Sequence, residues 1–480
     1  MKRNAATGLF LALLGAPAAT QKLSVEFVDT AEIGSTAVDQ HGNAFSVTGM
    51  SGVTWLGGSA YAVVLDNSDK VVYLDVELAD DGSIDAVQVS GGLTLAGAGD
   101  GEGIAFTGPV RGSVFVAEEG GPSIAEYDLH DGSLLAQVAV PPVYTAPGHL
   151  AANFGFESMS FRADGEQLWT VNEEALTIDG PPASPQGGTV VRLQRFLMNG
   201  PLAESAKQYA YWTEPMHGGS ITGGRSGLVD LVALPNGRLL ALERSLAFDL
   251  GGGFFRNSIW RVKLSGATNV GVGELADGLA GASYEPAGKE LLWSSQSDVG
   301  QNLEGLCLGP ELSGGCRVLL GVVDDGDPFS TNSLVTLRLC GGLGPYAPCG
   351  GPCPDVSLTG NVPFPLGGVA QLDVQSPAPG APILVLVAGD LGPTPFAGFA
   401  GFSQLALDGS SFALADPTGG MPGLGLPPTT DGTGNWSASI PVPVDPDLLS
   451  LELYAEAFVL DPLAPNGLYL QSDELAIAFE

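Results

Sequence analysis

The chain has 480 residues, with 18 Lys+Arg against 53 Asp+Glu and a formal charge of −35. So few bases cannot displace counterions from a nucleic-acid backbone or hold an anionic lipid surface, which excludes both partners. Seventy Gly and 35 Pro punctuate a chain that is still 44% hydrophobic; this is too apolar for disorder or collagen, and turn-rich enough to predict an all-β architecture.

In chain order, the first element is a targeting segment. Lys2 and Arg3 precede an apolar run from Ala5 to Leu14, followed by Ala16-Pro17-Ala18. A charged n-region, a short h-region and a small-residue cleavage site read as a signal peptide over residues 1–18, which predicts a secreted, periplasmic or cell-surface protein. The run is too short for a permanent anchor, and no later stretch reaches the roughly 18 uninterrupted apolar residues of a spanning helix, so no integral membrane segment is expected.

From there to about residue 340 a repeat recurs: an acid, a small apolar strand, a turn, a second apolar strand and a polar or acidic end. The copies are Glu102-GIAF with VFVAEE, Glu157-SMSF with LWTVNEE, Asp230-LVAL with LLALERS, and Glu304-GLCL with LLGVVDD. A weaker first copy, GVTW with AYAVVLD, starts near Ser51 and lacks the leading carboxylate. Amphipathic strands such as VVYLDVEL, TVVRLQRF and SIWRVKL follow each pair. Four-stranded units that cannot bury both faces alone predict a β-propeller over 19–340. Five copies are clear, and ASYEPAGKELLWSS (282–295) would make a sixth blade. The last unit shows only three strands, and KLSVEFVD (22–29) is placed to supply its fourth and close the ring.

Five cysteines fit an oxidising compartment. Cys307 and Cys316 flank a hairpin-like loop, where a cross-strand disulfide is expected, and two of Cys340, Cys349 and Cys353 are expected to pair in the Gly/Pro-rich link 341–354. Beyond Arg338 there is no Lys, Arg or His, against 14 Asp+Glu. Short alternating strands there (AQLDVQ, ILVLVAG, WSASIPV, LELYAEAFV) predict a C-terminal β-sandwich over 355–480.

The chemistry is expected in the propeller. Its repeat puts Glu102, Glu157, Asp230 and Glu304 at one strand start in successive blades, around one end of a channel. A second set closes the following strand: Glu118-Glu119, Asn172-Glu173-Glu174, Glu243-Arg244 and Asp324-Asp325. Converging carboxylates repel, so they need a cation, a basic partner or a shared proton. Oxygen ligands in this number favour Ca²⁺ or Mg²⁺. The plainer alternative is that a repeated acid accepts backbone N–H bonds from the next blade. Arg162, Arg192, Arg225 and Arg244 stand out because bases are rare; Arg192 and Arg244 either clamp an anionic substrate or pair with those acids. No GxSxG elbow occurs, and His217 beside Ser220 is the one histidine near a candidate nucleophile.

The blocks FESMSFRADGEQLWTVNEEALTIDGP (156–181), GTVVRLQRF (188–196), GLVDLVALPNGRLLALERS (227–245), RNSIWRVKLSGATNV (256–270), NLEGLCLGP (302–310) and VVDDG (322–326) resemble the phytase-like family with esterase-like activity of phytase. The resemblance implies a propeller-like phosphate-ester hydrolase. Carried over by position, it points to Glu157, Glu173, Glu174, Asp179, Asp230, Glu304, Asp324 and Asp325 as acidic site residues, with Asn172, Arg192, Arg244 and Asn302 as polar and basic ones. Gln301 and Gly326 depart from the family's usual Asp and Asn. The expectation is a cation-assisted phosphoesterase in which Glu102, Glu157, Asp230, Glu304 and Asp325 hold the ion. Arg192 and Arg244 would neutralise phosphate, Glu173 or Asp324 would act as base, and Asn172, Asp179 and Asn302 would bind substrate. The alternatives are a non-catalytic binding protein with structural Ca²⁺ and a carboxylic-ester or lactone hydrolase.

Overall fold

Each apolar strand pair of the repeat forms an antiparallel hairpin, and each hairpin grows into a four-stranded sheet in this computed structural model. The structure describes residues 23–479 apart from 110, 151–153, 163–166, 200–201, 219–223, 235–237, 250–251, 265, 296–300, 314, 329, 342–356, 377–378, 390, 396–401, 406–410, 416–422, 427–428, 452, 461–468 and 472–474. The signal-peptide expectation and Cys349, Cys353 and Ser220 therefore lie outside the described residues. No helix among the described residues is long and apolar enough to cross a membrane. The chain divides into two compact units, Leu23–Cys340 and one drawn mainly from Gly341–Glu480.

In the larger unit the first sheet is Met50–Gly57, Ala60–Leu65, Lys70–Leu78 and Ile84–Thr94. The second is Gly101–Phe106, Ser113–Glu118, Ser123–Asp128 and Leu134–Gln137; the third is Ser160–Phe161, Gln167–Val171, Val190–Asn199 and Leu202–Trp212. The fourth is Arg225–Ala233, Leu239–Asp249, Gly252–Lys263 and Gly288–Ser294. The fifth joins Leu303–Glu311, Arg317–Val323 and Ser333–Cys340 to the leading strand Ser24–Glu32, which pairs antiparallel with Ser333–Cys340 from Ser24↔Cys340 to Glu32↔Ser333. The segment 282–295 does not begin a sheet of its own. Its strand Gly288–Ser294 pairs with Gly252–Lys263 as the outer strand of the fourth sheet.

The second strand of each sheet explains why the repeat is so apolar there. Ala60–Leu65, Ser113–Glu118 and Arg317–Val323 are buried almost throughout, so both faces need hydrophobic side chains. Strand alternation then divides the two faces between neighbours. Tyr61, Val63 and Leu65 pack with Val318, Leu320 and Val322 of the fifth sheet, whereas Ala62 and Val64 pack with Ile104, Val114 and Val116 of the second. Phe115 and Ala117 in turn meet Phe156, Met159 and Leu168 of the third sheet. Trp169, Val171 and Leu193 meet Leu228, Leu231 and Ala241 of the fourth. The first strands of the five sheets touch one another in cyclic order, the fifth returning to the first.

The disulfide differs from expectation. It joins Cys316 to Cys340, and Cys307 is a buried free thiol. The register is the reason: Arg317 pairs with Leu339, which sets Cys316 beside Cys340, while Cys307 pairs with Leu320 in the interior of the sheet.

In the smaller unit, Ser357–Gly360, Val369–Gln375 and Asn435–Pro441 form one sheet. A second has Ile383–Ala388 between Phe412–Ala415 and Leu453–Leu460. Leu372, Val374 and Trp436 of the first share a core with Ile383, Val385, Ala455 and Ala457 of the second.

Candidate active site

The acids of the repeat come together where the second strands end and the first strands begin. Glu119, Glu157 and Glu173 each bring a carboxylate oxygen within 4.8 Å of the other two, and all three are buried. Asp66, Asp100 and Glu102 form a second such group by the same measure. Ser51 stands where the first copy lacks its carboxylate, and its Oγ–H donates to Glu102 Oε2 at 2.5 Å.

Two arginines tie this acidic lining to the fourth and fifth sheets. Arg244 Nη2 donates to Glu173 Oε1 at 2.8 Å, and its Nη1 reaches Glu304 and Asn302 Oδ1, the latter at 2.9 Å. Arg225 bonds Glu173 Oε2 and lies 3.5 Å from Glu174, its guanidinium set 4.3 Å over the Phe154 ring. Asn302 Nδ2 donates to Glu304 at 2.8 Å and to Asp324 Oδ2 at 3.1 Å. Glu173, Arg244, Glu304, Asn302 and Asp324 thus form one continuous network across three sheets.

Crowding and burial set the protonation of the acids. Burial, then the charges of Glu173, Glu102 and Glu119, push Glu157 well above the ordinary carboxylate range. Burial also pushes Glu119 up to about 7, against a lowering hydrogen bond with Glu157 and with the charges of Glu173, Asp100 and Asp66 adding to the rise. A proton shared between Glu119 and Glu157 would relieve this crowding. Glu102 is raised by burial and by Asp66, and Asp324 is raised by burial.

Several expected site residues sit elsewhere. Arg192 is fully buried and donates to both oxygens of Asp179 at 2.7 Å, and also to Gln208 Oε1, Val270 O and Leu275 O. Its five N–H groups are all engaged, so neither it nor Asp179 is left to bind a phosphate; the pair fastens the third sheet to the segment 270–279. Asn172 is buried and used locally, its Nδ2 bonding Glu174 O at 2.5 Å and its Oδ1 accepting Arg192 N–H at 2.9 Å. Asp230 accepts the backbone N–H of Leu231 at 2.7 Å and of Leu306, in the fifth sheet, at 2.6 Å. This is the blade-clip alternative, and Asp230 belongs to neither carboxylate group. Asp325 accepts Gly49 N–H at 3.0 Å and belongs to neither carboxylate group. Glu173, expected as a base, has both oxygens occupied by arginine.

Two contributors escaped the sequence reading. Asp66 ends the strand AYAVVLD, the same repeat position as Glu119 and Asp324, and aligning that last residue would have found it. Asp100 sits in the glycine-rich stretch GAGDGEG, just before the repeated acid Glu102. Glu119 was in the second set of acids, as one half of the Glu118-Glu119 pair, without a role of its own.

The family model Phytase-like: Esterase-like activity of phytase matches residues 46–326. No curated protein matches the chain. Among solved structures, a luciferin-regenerating enzyme is 12% identical, covering 67% of this chain and 96% of its own, with a TM-score of 0.30. The periplasmic gluconolactonase of Pseudomonas aeruginosa is 13% identical over 58% of this chain and 97% of its own, with a TM-score of 0.26. An endo-arabinase from Bacteroides thetaiotaomicron is 14% identical over 63% and 97%, with a TM-score of 0.35.

Proposed function

The chain belongs to the phytase-like family with esterase-like activity of phytase, and we propose that it is an exported hydrolase of phosphate esters. In this reading the five sheets are the blades of a propeller carrying an accessory β-sandwich, and the N-terminal segment directs secretion. The observation that carries it is the convergence of carboxylates from successive sheets against Arg225 and Arg244.

The donor set fits a hard divalent cation, since each group offers carboxylate oxygens alone. Asp66, Asp100 and Glu102, whose group contains no arginine-bound carboxylate, would hold Ca²⁺ or Mg²⁺, which supplies charge that polarises a phosphoryl oxygen. Arg225, with its side chain 44% exposed, presents a guanidinium to an incoming anion while Glu173 fixes its orientation. Arg244 holds Glu304 and Asn302 in place, and through Asn302 it holds Asp324. The Glu119–Glu157 pair is suited to exchange a proton near neutral pH, the property required of a general acid–base.

The test compares aryl phosphate, phosphodiester and carboxylic-ester substrates, with Ca²⁺ or with chelator. Phosphate release that disappears in chelator and in Glu157→Gln supports the reading. Turnover of carboxylic esters alone selects an esterase or lactonase instead. No turnover, with a melting temperature that still rises on Ca²⁺ addition, leaves a binding protein.

A further inference from the structure

A cavity of about 250 Å³ lies between the fourth sheet and the segment 214–217; none of the six grouped carboxylates lines it, and Arg244 borders it from the candidate site. Strand register builds its wall. Ser245 pairs with Arg256, Glu243 with Ser258, and Ser258 with Ser294, so these side chains share one face of the sheet. Both acids at this wall share one base, because Lys289 Nζ lies 2.7 Å from Glu243 and 2.9 Å from Glu214. Glu243 also accepts from Tyr211 Oη–H at 2.6 Å and Glu214 N–H at 2.8 Å. Among the described residues no carboxylate pairs with the exposed Arg256.

What remains at the cavity is a surplus of donors. Trp260 Nε1 and His217 Nε2 are buried without a hydrogen-bond partner, and both residues line it. An indole N–H can only donate. His217 Nδ1 lies 2.8 Å from Ser245 Oγ, which also accepts the His217 backbone N–H at 3.1 Å. In the tautomer where Ser245 Oγ–H donates to Nδ1, the ring proton sits on Nε2 and that nitrogen too is a donor. Ser258 and Ser294 bond each other at 3.0 Å, and one of their two hydroxyl protons stays free for a ligand. A buried donor without an acceptor is costly, and an acceptor-rich ligand relieves that cost.

We propose that this cavity binds a small oxyanion, a phosphate or a carboxylate, through Arg256, Trp260 Nε1–H, His217 Nε2–H and the Ser258–Ser294 hydroxyls. Its volume is below the about 300–1,000 Å³ typical of drug-sized ligand sites, which matches a ligand of few atoms. The site does not depend on the hydrolase reading, and its test is independent of it. Inorganic phosphate, and separately acetate, is titrated into the full chain in chelator, so that anion held through a cation at the carboxylates does not contribute. Saturable binding is expected, about tenfold or more weaker in Arg256→Gln and weaker also in Trp260→Phe. Ser258→Ala gives the same information if Trp260→Phe does not fold by circular dichroism. Tighter phosphate than acetate identifies a phosphate site, and the reverse order a carboxylate site. Binding of neither anion, or binding equally strong in parent and Arg256→Gln, overturns the proposal.

Discussion

Arg244 is the residue on which the candidate site turns, because its guanidinium is shared by Glu173 and Glu304 from different sheets while only 13% of the side chain is exposed. Arg244→Gln leaves two crowded carboxylates without their common counter-charge. It is expected to cost about 3 kcal/mol in urea denaturation, since breaking a mostly buried pair strands the remaining charge. Arg244→Lys should fall between parent and Gln, because an ammonium keeps the charge and loses the planar fork. A Gln variant as stable as the parent would remove Arg244 from this role. His217 supports a pH prediction. Burial and then Arg256 lower it from 6.5 to about 4. The unfolded chain therefore binds the proton first as pH falls through that window, so the stability contributed by the neutral ring is present above pH 6.5 and lost toward pH 4. Raised acids such as Glu157 act in the opposite sense, so the quantity to read is the difference between parent and His217→Asn. The parent should lose stability relative to the variant by on the order of 2 kcal/mol from pH 7 to pH 4, after allowance for solvent screening. Parallel curves for the two proteins would show that the ring does not titrate as described.

At the scale of elements, the glycine after the repeated acid has a definite job. Gly103 follows Glu102, and a Cβ there would lie 2.3 Å from Met159 N and from Ser158 C in the next sheet. Gly305 follows Glu304, and its Cβ would lie 2.2 Å from Ser51 O of the first sheet. Neighbouring first strands approach so closely that a methyl group has no room, and the obstacle is backbone, which cannot swing aside. Gly103→Ala is thus expected to destabilise the larger unit by about 2–4 kcal/mol, measured as a lowered urea midpoint with unchanged slope. A neutral outcome would mean the sheets are not pressed together there. This level was the most legible in the sequence. The strand pairs, their order and the leading strand that completes the fifth sheet all follow from local apolar patterning, which the chain carries in consecutive residues. The pairings that were misread depend instead on register between remote segments. Cys316 meets Cys340 only because Arg317 aligns with Leu339. Arg192 meets Asp179 in the fully buried interior, where a sequence shows two charged residues and not their mutual neutralisation. Asp230 and Glu304 occupy the same repeat position, yet one bonds backbone N–H groups and the other an arginine; the repeat specifies the place, and the neighbouring sheet decides the use.

For the whole molecule, the ring of sheets closes by joining the two ends of the larger unit. Ser24–Glu32 pairs along Ser333–Cys340, and Glu26 bonds Arg338 at 2.5 Å across that seam. Without the leading strand, Ser333–Cys340 becomes an unpaired edge, and every sheet depends on two neighbours for the burial of its faces. The missing contacts are therefore felt around the ring and not only at the seam. The acidic segment after Arg338 has no base for ion pairs within itself, and its apolar core is built from its own residues. Together these make a prediction about where the chain can be cut. A chain of residues 23–340 is expected to fold alone, to unfold in one cooperative transition, and to keep the full chain's melting temperature within a few degrees. A chain of residues 33–340, lacking only the closing strand, should lose cooperativity or aggregate through the exposed edge. Thermal unfolding by circular dichroism and light scattering separates the two cases. If 23–340 melts far below the full chain, the C-terminal unit supports the ring directly. If 33–340 folds as well as 23–340, closure by the leading strand is not what holds the five sheets together.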